Sequence, residues 1–169
     1  ACKQVCAYVP DNPDVYGFLT GMQYLDYVAD LFRVGSDERA RRIDGYANRL
    51  GMGDRLGEMV SAYSHGMRQK LVLIGSFLHE PRLLVLDEPF VGLDPEAAYE
   101  LRAMMHELTS RGSAIFLSSH VLDTVERLCD TIAIIRQGSI VRAGTTDEVR
   151  GDEGLEQVFL ELAREARNG

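Results

Sequence analysis

The chain has 169 residues, 46% of them hydrophobic and 26% charged, and a formal net charge of −8. That length supports one domain with a real core rather than two. The acidic balance argues against nucleic acid as a partner, and with no apolar run near the ~18 residues of a membrane span the chain is expected neither to cross a membrane nor to be exported.

Cys6-Ala7-Tyr8-Val9 reads as a short strand, and Pro10-Asp11-Asn12-Pro13-Asp14 is turn chemistry. Leu19-Thr20-Gly21 leads into a helix with Tyr24, Leu25, Val28, Leu31 and Phe32 on one face. Ser36 is the expected N-cap of a second helix, with Asp37 and Glu38 in its first turn, Ile43, Ala47 and Leu50 as its stripe, and Gly51 as its stop. Ser64 then caps a buried helix that breaks before Pro81. With Gly66 beside it, this start leaves backbone N–H groups uncovered, as a helix N-terminus that receives an anion requires.

Leu83-Leu84-Val85-Leu86 is a short apolar run that reads as a buried parallel strand, and it delivers Asp87 and Glu88 to the sheet's carboxyl edge. Open α/β sheets bind ligands at that edge. Asp94-Pro95 starts a helix carrying Ala98, Leu101, Met104, Met105 and Leu108, which Gly112 ends. Ala114-Ile115-Phe116-Leu117 completes a right-handed βαβ unit. If the two strands are neighbours, His120 emerges at the edge that holds Asp87 and Glu88. A helix over 121–128, a hairpin turning at Arg136-Gln137-Gly138, a short helix after Gly144 and an amphipathic helix with Leu155, Val158, Phe159, Leu162 and Ala166 close the chain. Arginine carries nearly all the positive charge, Lys3 and Lys70 being the only lysines. Cys2, Cys6 and Cys129 are odd in number and read as thiols of a reduced chain.

These pieces, in this order, resemble the ATP-binding subunit of bacterial ABC transporters, in the drug-exporter-like branch. Tyr63-Ser64-His65-Gly66-Met67-Arg68-Gln69 is similar to the family's signature motif, Leu83 to Glu88 to its Walker B strand, Gly92-Leu93-Asp94-Pro95 to its D-loop and Ser118-Ser119-His120 to its switch region. Val9-Pro10-Asp11 falls where the Q-loop is expected, and Leu155 to Leu160 resembles the C-terminal helix. The resemblance implies an α/β, P-loop NTPase-like parallel-sheet core, with a helical lobe over about 12–80 and the rest of the core over about 81–169.

It further implies ATP and Mg²⁺ as cofactors. Asp87 would hold Mg²⁺ and Glu88 would orient the attacking water. His120 would hydrogen-bond the γ-phosphate, and Ser64, His65, Gly66 and Gln69 would meet nucleotide from a second ATP-binding subunit. Asp94 would line that interface, and Asp11 would reach the metal and nucleotide. A membrane permease is the other implied partner, placing the subunit on the cytoplasmic face of the membrane. Two departures stand out. A Walker A loop, G-x-x-x-x-G-K-[ST], is absent, so the domain is expected to be N-terminally shortened and ATPase activity of the isolated chain is not expected. Aspartate stands at position 11 where the family usually has glutamine. The alternatives are a non-hydrolysing partner module in a dimer of such domains and a soluble ATPase of this type without a permease.

Overall fold

The computed structural model describes residues 4–168. Cys2 and Lys3 lie outside the described residues, as does the side chain of Ala166. The fold is α/β, as the sequence predicts. It divides into two compact units between Ser118 and Ser119.

The first unit is built on a parallel sheet of β1 (Cys6–Val9), β2 (Leu83–Asp87) and β3 (Ala114–Ser118), with β2 in the middle. Its helices are α1 (Gly21–Leu31), α2 (Ser36–Arg49), α3 (His65–Phe77) and α4 (Pro95–Ser110). Register pairs Val9 with Leu86 and Leu86 with Leu117. Alternation then sends Ala7, Val9, Leu84 and Leu86 to one buried face, against which α3 and α4 pack. Each of these leucines contributes about 1.5–3 kcal/mol by burial. Tyr8, Val85 and Phe116 share one register row on the opposite face, where Tyr8 is 61% and Phe116 63% exposed. A parallel sheet is ordinarily covered on both sides, so this half-covered one stands out.

Local chemistry places the helices. Thr20 and Gln23 form a capping box at the start of α1. The N-cap of α2 is Gly35, one residue before the predicted Ser36, whose hydroxyl instead donates to Asp37 within the first turn. Gly51 and Gly112, with φ of +66° and +91°, occupy left-handed positions just past α2 and α4, as the sequence predicts. The buried stripe of α1 is Gly21, Leu25 and Ala29, while Leu31, predicted for the core, is 59% exposed.

Arginines of α2 tie it to the rest of the unit. Arg42 bonds Glu38 at 2.7 Å and Glu80 at 2.9 Å, and donates to the Leu78 carbonyl at 2.5 Å. Arg49 bridges Glu100 and Glu107 of α4 at 2.7 and 2.9 Å. Glu38, gripped by Arg41 and Arg42, is held down to about 2.

His79, in the turn between α3 and β2, stacks flat on Phe32 with ring centroids 3.7 Å apart. Its ring nitrogens are enclosed and make no well-formed hydrogen bond. Burial pushes its pKa below the usual histidine value, with a weaker opposing pull from the Cys6 backbone.

The second unit contains α5 (Leu122–Leu128), the antiparallel hairpin β4 (Thr131–Arg136) and β5 (Ser139–Thr145), α6 (Thr146–Arg150) and α7 (Leu155–Asn168). Ile132, Val149 and Leu155 form its centre, with Leu122, Val125, Cys129 and Ile134 packed around them. Thr145 and Glu148 make a capping box for α6, and the Glu126 carboxylate accepts from the Leu155 amide at the start of α7.

The depressed pKa of His79 means that its neutral form stabilises the fold fully above the ordinary value of about 6.5, and that this contribution is lost as pH falls through the folded value. His79→Phe, which keeps a ring against Phe32, is therefore expected to lose less stability than the parent between about pH 7 and 5. Thermal unfolding across that range measures it. Leu86→Ala should cost about 2–5 kcal/mol in urea unfolding.

Candidate functional site

The sheet edge follows from the register. β1, β2 and β3 run parallel, so Val9, Asp87 and Ser118 come out at the same end. Asp87 and Ser118 are register partners, and the Ser118 hydroxyl donates to the Asp87 carboxylate at 2.5 Å. By strand alternation both stand on the sheet face that exposes Tyr8 and Phe116. Asp11, exposed, follows two residues after Val9 and so leaves the sheet from this edge.

Glu88 is half-buried and has φ of +47°, in the left-handed region. A non-glycine residue there is uncommon, and the following Pro89 restricts it further. The surrounding bonds hold it. Its N–H donates to the Ser118 carbonyl at 3.1 Å, and its own carbonyl accepts from Val91 N–H at 3.1 Å.

The signature segment is built as a capped helix start. Ser64 Oγ accepts from Met67 N–H at 3.3 Å, and Ser64 and His65 are exposed. The first amides of α3 have no acceptor within the helix. A Cβ on Gly66 would collide with the carbonyl oxygen of Gly92, and one on Gly92 would lie 2.9 Å from His65 Cδ2. Gly92 itself has φ of +77°. The connection after β2 therefore lies directly on the first turn of α3, at a distance that only glycine at position 66 permits.

Asp94 finishes that connection with both carboxylate oxygens engaged. Oδ1 accepts from Ala97 N–H at 2.9 Å as the cap of α4, and Oδ2 meets Lys70 Nζ at 2.5 Å. The ammonium first, and the cap second, hold the Asp94 carboxyl below the usual aspartate range.

The predicted site residues thus fall in four places. Asp87, Glu88 and the start toward Asp11 share the sheet edge, while Ser64, His65, Gly66 and Asp94 gather around the α3 start. Gln69 is fully buried, and its amide has no hydrogen-bond partner among the described residues, so it does not share the exposed face of Ser64. His120 is exposed and belongs to the second unit, two residues past Ser118. Sequence reasoning assigned no role to Lys70 or Gly92, and did not pair Ser118 with Asp87. The neighbouring strands carried the signal for Ser118, whereas nothing in spacing joins Lys70 to an aspartate 24 residues away.

Chemically, the edge offers a carboxylate–hydroxyl pair suited to a hydrated hard cation and a second carboxylate fixed by its backbone. The α3 start offers amides without an acceptor within the helix, of the kind suited to an anion. A glycine loop with a lysine to cradle a polyphosphate is absent from the 169 residues.

Residues 23–123 match the model of a family described as AAA domain, putative AbiEii toxin, Type IV TA system. Over nearly the whole chain the likeness is more particular. YthP of Bacillus subtilis, an uncharacterized ABC transporter ATP-binding protein, is 37% identical over 164 residues, covering 96% of this chain and 70% of that protein. An uncharacterized ABC transporter ATP-binding protein of Synechocystis sp. is 38% identical over 160 residues, covering 93% of this chain and 45% of that protein. The solved structure of an ATP-binding subunit of an ABC transporter superposes with a TM-score of 0.91 at 34% identity, covering 95% of this chain and 69% of that one. The chain belongs to the family of ABC transporter ATP-binding proteins. The chain spans about half the length of some curated relatives it matches, 45% of the Synechocystis protein and 47% of an uncharacterized ABC transporter ATP-binding protein of Nostoc sp.. Among the described residues no helix is long and apolar enough to cross a membrane.

Gly92→Ala is expected to destabilise the fold by about 1–3 kcal/mol, because it combines a disfavoured φ with an overlap on His65. Urea unfolding measures this. The lowered pKa of Asp94 predicts a stability contribution present above the ordinary value of about 3.9 and lost as pH falls through the folded value. The stability gap between parent and Asp94→Asn should therefore close on acidification, read by unfolding at stepped pH.

Proposed function

We propose that this chain supplies the hydrolytic edge and the signature segment of an ABC-type ATPase that energises an exporter. The observation that carries the reading is the Asp87–Ser118 pair next to the backbone-fixed Glu88, at the carboxyl edge of a parallel sheet. Asp87 with Ser118 offers oxygens to hold a hydrated Mg²⁺, which would neutralise phosphate charge. Glu88 is the residue to orient and polarise water, and His120 the one to hydrogen-bond the transferring phosphoryl group. Ser64 and the amides at the α3 start would receive phosphate oxygens of a nucleotide held by a second such domain, with His65 and Asp94 lining that interface. Asp11 would serve the metal through water.

The phosphate cradle itself would come from another segment. Asp87 and Ser118 stand on the half-covered sheet face, where Tyr8 and Phe116 are exposed. An element packed there would cover those rings and meet the metal-holding pair at once. The same absence of a cradle favours a second reading, a partner module that presents Ser64 and Gly66 to another domain's nucleotide and hydrolyses nothing itself.

A permease is the proposed membrane partner, and it would hold the subunit at the cytoplasmic face. A groove of about 440 Å³ beside β1 and α1 is lined by Tyr8, Tyr16, Tyr24, Tyr27, Phe32 and His79, among others. Tyr16 packs against Phe18 and edge-on to Tyr27, leaving an exposed aromatic rim. Such a groove suits an apolar helix face of a partner.

The test combines the chain with a segment bearing G-x-x-x-x-G-K-[ST] and measures ATP binding and turnover. Turnover that Glu88→Gln lowers by about 10²-fold or more, with binding kept, is the expected result. Binding without turnover in the parent would instead establish the partner-module reading.

A further inference from the structure

The α3 start and the connection from Glu88 to Asp94 are locked together by two separate features. One is the backbone approach of Gly66 to the Gly92 carbonyl, which leaves no room for a side chain at Gly66. The other is the 2.5 Å ion pair between Lys70, whose side chain is only 14% exposed, and Asp94. A helix cap needs one oxygen, and Asp94 already gives Oδ1 to Ala97, so the second oxygen is committed to holding α3. At the other end of the same connection Glu88 sits in a left-handed conformation before a proline. Backbone in such a state persists only where its surroundings over-determine it. The Ser118 carbonyl fixes one side of Glu88, and the turn closed by Val91 and Leu93 N–H groups leads from the other side to Asp94.

We infer that Lys70 is a positioning residue: by anchoring Asp94 to α3 it holds the Glu88–Asp94 connection in one shape and so fixes the aim of Glu88. Whatever engages the exposed start of α3 at Ser64 then bears on the same rigid piece that carries Glu88. The water-orienting part of this inference rests on the function proposed above, whereas the clamp itself rests on the geometry alone. Lys70 acts without touching the reacting atoms, and the path runs through one ion pair, one glycine–glycine contact and the seven-residue connection Glu88–Asp94.

Two measurements test it, exchange on this chain and turnover on the chain combined with a segment bearing G-x-x-x-x-G-K-[ST]. The first is amide hydrogen exchange at Glu88, Val91 and Leu93. Lys70→Met and Asp94→Asn should each speed it about tenfold, and the double variant should go no further, because both break one link. The second is ATP turnover. Lys70→Met should lower kcat about tenfold while KM changes by less than about twofold, and Lys70→Arg, which keeps the charge, should restore most of the loss. Unchanged exchange in a folded Lys70→Met protein overturns the inference. So does exchange that adds up in the double variant, or faster exchange with full kcat. If the combined protein without substitutions hydrolyses no ATP, the proposed function fails, and the exchange measurements still decide the clamp.

Discussion

The parallel register of β2 between its two neighbours is the constraint on which the rest depends. Side chains alternate across a strand, so a one-residue slip would turn Leu84 and Leu86 outward and drive Asp87 into the face packed by the helices. The burial of those leucines, on a sheet backed by α3 and α4, is what forbids the slip. Because the strands are parallel, their ends also coincide, and Asp87 comes out beside Ser118 without any further device. Glu88 inherits its place from the next backbone bond, its N–H reaching the Ser118 carbonyl. Two carboxylates in sequence thus receive different environments: one is hydrogen-bonded through its side chain, the other is fixed through its main chain.

Around this edge the chain spends its charges unevenly. The arginines of α2 staple that helix to Glu80 and to α4 in partly buried pairs. Pairs still open to solvent on one side contribute little each, about 0–1 kcal/mol, and act more by orienting helices than by stabilising them. Lys70 differs because its partner also caps a helix. One carboxylate therefore joins two helices and the connection between them.

Much of this was legible in the sequence, and the reasons are local ones. Ser64 and Asp94 each present a side-chain oxygen three residues ahead of an amide, and the structure uses both as caps. The apolar run before Asp87 and the one before Ser118 read correctly as parallel strands. The errors are also local: Gly35 displaces Ser36 as a cap by adopting extended backbone, and Leu31 lies outside the buried stripe at the end of its helix. What pattern reasoning does not reach is contact between distant segments. The meeting of Gly66 with Gly92, and of Lys70 with Asp94, depends on the tertiary path and leaves no periodic trace. Nor does a strand's composition reveal whether its second face is covered. Tyr8 and Phe116 would read alike in either case.

That half-covered face has a thermodynamic consequence. An element that packs on Tyr8, Val85 and Phe116 binds the folded chain and not the unfolded one, so the measured stability rises with the concentration of the cover, as for any ligand. Left bare, a flat row of apolar side chains on parallel strands is a surface for self-association. The yield and solubility of this chain are then set as much by the supply of that cover as by the quality of its own core.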